Sequence, residues 1–100
     1  MKGNQLIIPK DRIADFCRRY QIRKLSLFGS VLREDFGPDS DVDVLVEFEP
    51  GHTVGFEIID MEEELSELFG GRKVDLINAK YLNWRLRDRV LAEAEVQYAT

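Results

Sequence analysis

Residues 41–48 read Asp-Val-Asp-Val-Leu-Val-Glu-Phe, and this stretch predicts the clearest strand of the chain. Successive side chains of a strand point to opposite faces of the sheet. One face is apolar and carries Val42, Val44, Val46 and Phe48. The other face carries Asp41, Asp43, Leu45 and Glu47. The alternation therefore predicts a strand that is buried on one side and partly acidic on the other.

The segments on either side of this strand predict a small sheet with helices packed on it. Apolar residues recur at helical spacing in three segments and alternate as in strands in two others. The predicted elements, in chain order, are a helix at 10–20, strands at 24–28 and 41–48, a helix at 54–69, a strand at 73–77 and a helix at about 80–96. This order predicts an α+β (α/β-like) fold with a mixed sheet of about three to four strands.

Shorter signals mark the ends of these elements. Thr53 and Asn78 are predicted N-caps of the second and the last helix, and Gly70-Gly71 is predicted to stop the second helix. Residues 31–34 are predicted to form a short helix, and residues 37–40 a turn.

The composition predicts one folded domain over residues 1–100. Hydrophobic residues make up 44% of the chain and charged residues 33%, which is typical of globular proteins. The net charge of −5 disfavours binding to extended nucleic acid, because proteins that bind its phosphates are usually basic. The single cysteine, Cys17, excludes an internal disulfide and a cysteine-based zinc site.

The sequence also predicts that the protein does not enter a membrane. No apolar stretch approaches the roughly 20 residues that a membrane helix requires. Residues 1–9 lack the apolar segment of a signal peptide. We therefore expect a cytoplasmic protein.

Three aspartates are candidate metal ligands. Asp41 and Asp43 share one face of their strand, roughly 6.6 Å apart along it. Asp75 lies in the middle of the strand predicted at 73–77, and if the two strands are neighbours, three carboxylates converge. Hard oxygen ligands of this kind select Mg²⁺, with Mn²⁺ as an alternative. A solvated polar face explains the same spacing, so both interpretations stay open at this point.

Two other sites for ions or phosphates are excluded. The spacing of Asp39, Asp41 and Asp43 imitates an EF-hand, but Val44 replaces its glycine and Pro50 replaces its last glutamate. No segment matches the Gly-x-x-x-x-Gly-Lys-Ser/Thr pattern of a Walker A loop.

Gly29-Ser30 is a candidate phosphate-binding turn. Glycine lets a backbone approach a phosphate closely, and Ser30 offers a hydroxyl and the N–H groups of a possible helix start. An ordinary strand-to-helix turn is the alternative. Arg33 is a candidate ligand for a phosphate through its planar guanidinium, although it is also placed to pair with Glu34 or Asp35 on the surface.

The remaining conspicuous side chains are predicted to be structural. His52 follows Pro50-Gly51 and is expected to be a solvated turn residue. The last predicted helix carries Arg85, Arg87 and Arg89, which favour a solvated face over a docking surface. Tyr81 and Trp84 near its start are partner contacts if they are exposed and packing residues if they are buried.

Taken together, these motifs resemble a known superfamily. Gly29-Ser30, then Asp41-x-Asp43 after ten residues, then Val74-Asp75-Leu76-Ile77, resemble the polymerase-beta-like nucleotidyltransferases. Within that superfamily the chain is similar to the minimal nucleotidyltransferase (MNT) antitoxins that pair with HEPN toxins. Arg33 falls where this group often has Gly-Ser-x-x-Arg. The ending from Asn83 to Ala94 also resembles the closing helix of these proteins.

The resemblance implies a nucleotidyltransferase fold and an activity. Asp41, Asp43 and Asp75 would hold Mg²⁺, and Asp75 would help to activate the attacking hydroxyl. Gly29 and Ser30 would bind the triphosphate of ATP or another nucleoside triphosphate. A nucleoside monophosphate would be transferred and pyrophosphate released. Some members transfer AMP to a tyrosine of the partner toxin.

The same resemblance implies a partner. We expect a HEPN-type toxin encoded nearby to supply the acceptor, in a homo- or hetero-oligomer. An antitoxin that neutralises this partner by contact alone, without catalysis, is the alternative hypothesis.

Overall fold

The computed structural model describes residues 8–29, 40–52 and 55–100. The elements, in chain order, are α1 (Lys10–Arg19), β1 (Ile22–Phe28), β2 (Val42–Phe48), α2 (Glu57–Leu68), β3 (Val74–Asn78), a 3-10 turn (Ala79–Tyr81), α3 (Trp84–Glu93) and β4 (Glu95–Ala99). The predicted helix at 31–34, all of the predicted turn at 37–40 except Ser40, and the predicted N-cap Thr53 lie outside the described residues.

The four strands form one mixed sheet in the order β3-β2-β1-β4. β1 pairs antiparallel with both β2 and β4, and β2 pairs parallel with β3. A parallel pair needs a crossover connection, and α2 provides it. The predicted fold class, a small mixed sheet with helices on it, is confirmed.

The core lies between the sheet and the helices α1 and α2. The predicted apolar face of β2 belongs to it, because Val42, Val44 and Val46 are fully buried. From α1 it takes Ile13, Phe16 and Cys17, and from α2 Met61 and Leu65. Burial raises the pKa of the Cys17 thiol to about 12, against a smaller opposing effect of Arg18. Cys17 is therefore a core residue, as predicted.

An ion-pair network fastens α1 to α2 at the surface. Arg19 of α1 donates to Glu64 of α2 at 3.2 Å and also pairs with Asp15. The hydroxyl of Tyr20 donates to the same Glu64 carboxylate at 3.3 Å. Burial and then the Glu64 charge raise the pKa of Tyr20. The two helices are thus joined outside the core as well as through it.

The helix predicted at about 80–96 is divided in the structure. Asn78 caps the 3-10 turn, since its side chain accepts a bond from the N–H of Lys80 at 3.0 Å. Asn83 caps α3 by accepting from the N–H of Arg85 at 2.9 Å. Asn78 is therefore a cap, but of the turn rather than of the last helix. The predicted stop of α2 is confirmed, because Gly70 and Gly71 both have positive φ.

The prediction missed the fourth strand. The sequence pattern extends the last helix to about residue 96, but α3 ends at Glu93 and β4 begins at Glu95. β4 pairs along the edge of β1, and Tyr98 packs against the core. The strand satisfies backbone groups of β1 that would otherwise form an open edge, and this gain overrides the helical spacing of the preceding residues. No helix in the described part of the chain is long and apolar enough to cross a membrane.

Candidate functional site

Asp43 lies where three strands meet. In the sheet register it stands opposite Phe28 of β1 on one side and opposite Asp75 of β3 on the other. Residues directly opposite each other in a sheet project from the same face. The structure therefore places the carboxylates of Asp43 and Asp75 side by side on neighbouring strands, and both residues are half-buried.

Gly29 lies directly against Asp43. It follows β1 with a φ of +74°, a backbone conformation that L side chains rarely adopt. A Cβ atom at this position would overlap Oδ2 of Asp43. Position 29 thus needs glycine for its backbone conformation and for space. The contact places the predicted glycine turn against the Asp41-x-Asp43 motif.

Asp41 sits just before β2 and has a cationic neighbour. The N–H of Val42 donates to the carbonyl of Lys73 at 2.8 Å, which continues the parallel register to the start of β2. Lys73 Nζ lies 3.9 Å from Oδ2 of Asp41. Lys73 was not predicted as a residue of the site. Its position two residues before Asp75 was the available signal, because that spacing puts both on one face of a strand.

The positions of Asp41, Asp43 and Asp75 bear on whether they can bind a metal ion. Among residues 8–29, 40–52 and 55–100, no three His, Cys, Asp or Glu side chains are gathered closely enough to hold one ion. The three aspartates nevertheless occupy one end of two adjacent strands. Their oxygen donors have the chemistry that a hard divalent cation requires. The residues therefore suit such an ion by donor type, and the pair Asp43 and Asp75 also by its position on adjacent strands.

Glu62 of α2 anchors the strand that carries Asp75. Its Oε2 accepts a hydrogen bond from the N–H of Leu76 at 3.1 Å. This bond satisfies a backbone donor of β3 with a side chain, next to the candidate ligand. No pattern in the sequence distinguishes Glu62 from the other acids of α2. Ser30 and Arg33 lie outside the described residues.

The opposite end of β2 contains a small cavity of about 260 Å³. Arg23 in its lining pairs with Glu47 at 3.2 Å. Nε2 of His52 is buried without a hydrogen-bond partner in the described part of the chain and lies 3.6 Å from Oε1 of Glu57. The expectation that His52 is solvated is wrong, because its side chain is only 19% exposed and its ring packs on Phe48. The strand that precedes the turn supplies an aromatic surface for the imidazole.

The sequence pattern of the nucleotidyltransferase domain family matches residues 10–96. A protein of Methanocaldococcus jannaschii assigned as a protein adenylyltransferase is 32% identical over 85 residues, which cover 85% of this chain and 89% of that protein. The protein adenylyltransferase MntA of Thermococcus cleftensis is 39% identical over 75 residues, which cover 75% of this chain and 74% of MntA.

Solved structures share the fold. A structure assigned as a minimal nucleotidyltransferase is 35% identical, with a TM-score of 0.71, and 85% of each chain is covered. A toxin-antitoxin structure with AMP-PNP has a TM-score of 0.73 at 19% identity, over 93% of this chain and 75% of that chain. A complex of a tri-AMPylated Shewanella oneidensis HEPN toxin with an MNT antitoxin has a TM-score of 0.65 at 19% identity, over 91% of this chain and 70% of that chain. At such low identity the last two show the fold alone.

Proposed function

The chain belongs to the minimal nucleotidyltransferases of the nucleotidyltransferase domain family, and on this premise we propose that it transfers AMP from ATP to a hydroxyl of a partner protein. The proposed partner is the HEPN-type toxin of a toxin-antitoxin pair, with this chain as the antitoxin. Relatives named as protein adenylyltransferases support the reaction. The complex of an AMPylated HEPN toxin with an MNT antitoxin supports the partner.

One observation carries the proposal. Asp43 lies against the backbone of Gly29 and opposite Asp75, so a glycine turn and two carboxylates meet at one end of the sheet. A divalent cation bound here would take oxygen donors from two adjacent strands. Its positive charge would then lie beside the glycine turn.

Each residue has a role in the proposed reaction. Asp41, Asp43 and Asp75 would hold Mg²⁺, or Mn²⁺, through carboxylate oxygens. The metal would supply positive charge that stabilises the attacking and leaving oxygens of an in-line displacement. Gly29 and Ser30 would hold the triphosphate with backbone N–H groups and a hydroxyl, and Arg33 would contact a phosphate.

The bonds and protons of the proposed reaction balance as follows. Asp75 accepts the proton of the acceptor hydroxyl. The hydroxyl oxygen forms a bond to the α-phosphorus of ATP. The bond from that phosphorus to the oxygen bridging the α- and β-phosphates breaks, and pyrophosphate leaves with the electron pair. The products are the AMP ester of the partner protein and pyrophosphate.

The proposal is tested by incubating the protein with Mg²⁺, ATP labelled at the α-phosphate and the HEPN-type protein encoded beside it. We expect label on the partner. The double variant Asp41→Asn/Asp43→Asn should lose roughly 100-fold or more of the rate, because metal stabilisation of the transition state is worth several kcal/mol. The matched control is Asp11→Asn/Asp88→Asn, which changes two exposed acids on α1 and α3 and should label the partner normally.

Two results would contradict the proposal. Equal labelling by the Asp41/Asp43 variant and its control would show that these acids do not catalyse transfer. If the Asp41→Asn/Asp43→Asn variant no longer labels the partner but still neutralises the toxin fully, the protein is an antitoxin that acts by contact alone. Loss of neutralisation with retained binding would exclude that alternative.

A further inference from the structure

The strand that carries Asp75 lies at an edge of the sheet. Within the described part of the chain, β2 is the one neighbour of β3. The carbonyl of Lys73 accepts from the N–H of Val42, so the backbone groups of Lys73 face β2. Successive residues of a strand turn their backbone groups to opposite edges, and those of Leu76 therefore face away from β2. The sheet itself leaves such N–H groups without an acceptor.

The helix α2 supplies an acceptor for the N–H of Leu76. Oε2 of Glu62 accepts this hydrogen bond at 3.1 Å. Glu62 is half-buried, and its neighbours Met61 and Leu65 are fully buried in the core. Because these neighbours fix α2 against the sheet, a rigid element presents the Glu62 side chain to the edge of β3. A carboxylate that accepts from a backbone N–H makes one of the stronger hydrogen bonds in proteins.

A second side chain of α2 contacts the chain just before β3. The hydroxyl of Ser66, one helical turn after Glu62, donates to the carbonyl of Arg72 at 2.6 Å. The bond from β2 to the carbonyl of Lys73 lies between this contact and Asp75, and it holds the strand independently. Of the two contacts from α2, that of Glu62 is the one adjacent to Asp75.

We propose that Glu62 is a positioning residue for Asp75. The N–H of Leu76 and the carbonyl of Asp75 belong to the same planar peptide group, so the bond to Glu62 fixes the backbone from which the Asp75 carboxylate projects beside Asp43. This inference rests on the proposed function, in which Asp75 helps to hold the metal. Groups that orient a metal ligand commonly change the metal affinity by roughly 10-fold to 100-fold.

The affinity for Mn²⁺ tests this inference without reference to catalysis. Electron paramagnetic resonance measures the free Mn²⁺ that remains in a titration of the protein. Glu62→Ala should raise the Mn²⁺ dissociation constant roughly tenfold. Glu62→Gln retains an acceptor oxygen and should stay within about twofold of the wild type. Glu62→Asp, whose carboxylate is one methylene short of the strand edge, should give an intermediate increase.

Hydrogen exchange of the Leu76 amide, measured by NMR on the metal-free protein, tests the bond itself. The amide should exchange faster in Glu62→Ala than in the wild type, because the bond that protects it is lost. Glu62→Gln should restore most of the protection. Urea denaturation establishes that each variant is folded under the conditions of the measurement.

Two control variants separate positioning from a general loss of stability. Glu63→Ala removes the same side chain from the next, exposed position of α2 and should change neither the Mn²⁺ affinity nor the exchange of Leu76. Ser66→Ala removes the other bond from α2 and should lower the free energy of unfolding. It should leave the Mn²⁺ affinity unchanged, because the bond at Lys73 still holds the strand beside β2.

The outcomes distinguish this inference from the proposed function. Unchanged Mn²⁺ affinity in Glu62→Ala and Glu62→Asp, unchanged exchange of Leu76, or equal weakening by Ser66→Ala would each overturn the inference. If the wild type still transfers AMP in that case, the proposed function stands. If Glu62→Ala weakens Mn²⁺ binding but the wild type transfers no AMP, the inference stands and the proposed reaction is wrong. A wild-type protein that binds no Mn²⁺ would overturn both.

Discussion

Each end of β2 carries one carboxylate, Asp43 at the first end and Glu47 at the second, but their neighbours on the adjacent strands differ. At the first end Asp43 stands opposite Asp75 and against Gly29. At the second end Glu47 is paired with Arg23 at 3.2 Å. The second arrangement is an arginine–glutamate ion pair. The first sets two carboxylates beside a glycine turn, and carboxylate oxygens are donors that suit a hard divalent cation.

This difference shows why counting charged residues along a strand does not identify a site. Asp43 and Glu47 lie on the same face of β2, four residues apart. Their neighbours on adjacent strands decide what each does. A carboxylate beside an arginine stabilises the sheet modestly, whereas one beside a second carboxylate and a glycine turn has the surroundings that we propose for metal and phosphate binding.

Neutralising one acid at each end of β2 tests whether the two acids have different roles. Asp43→Asn should reduce label transfer roughly 100-fold or more, because it removes a proposed metal ligand. Glu47→Gln should change the rate by less than about twofold, since it affects an exposed ion pair alone. The measurement is the initial rate of AMP transfer at fixed Mg²⁺. Equal effects of the two substitutions would remove the distinction between the ends.

Replacing the glycine near each end of β2 should change the free energy of unfolding, and this is the next largest expected effect. Gly29→Ala should lower the free energy of unfolding by about 3 kcal/mol, because left-handed backbone costs about 1–2 kcal/mol and overlap with Asp43 adds to it. Gly51 also has positive φ, 85°, but a Cβ there would meet no other side chain or backbone within 4 Å in the part of the chain that the structure describes. Gly51→Ala should therefore cost only about 1 kcal/mol. Urea denaturation measures both, and equal losses would contradict the close contact at Gly29.

The smallest expected effect concerns the cations at the two ends. Lys73→Ala removes the cation 3.9 Å from Asp41, so the Mg²⁺ concentration for half-maximal transfer should fall about twofold. Arg23→Ala should leave that concentration unchanged and lower the free energy of unfolding by about 0.5 kcal/mol. A Mg²⁺ titration of the transfer rate compares the two variants. If Arg23→Ala changes the Mg²⁺ concentration for half-maximal transfer more than Lys73→Ala does, the metal binds at the Glu47 end of β2 and the proposal is wrong.

Local patterns predicted much of the fold. Alternation along 41–48 predicted the burial of Val42, Val44 and Val46 but not that of Leu45, which lies on the other face and is also buried. The contact between Gly29 and Asp43 could not be predicted, because it depends on the register in which Phe28 pairs with Asp43. That register is a property of two segments far apart in sequence.

Other features depend in the same way on distant neighbours. β4 exists as a strand because the edge of β1 is available for pairing. His52 is largely buried because Phe48 provides a surface for its ring. Glu62 looks like one acid among several on α2, and only the fold brings it to the N–H of Leu76. Periodicity identifies elements, whereas such contacts follow from how the elements meet.

Paramagnetic broadening by Mn²⁺ locates a bound metal ion relative to the two ends of β2. Trace Mn²⁺ added to the ¹⁵N-labelled protein shortens the transverse relaxation times of amide protons close to the bound ion and broadens their resonances. The predicted result is selective loss of the resonances of Gly29, Asp43 and Asp75, with residues 47–52 unaffected and with recovery in Asp41→Asn/Asp43→Asn. Broadening centred on Glu47 and His52, or broadening that the double variant retains, would contradict the assignment of the metal to the aspartate end of β2.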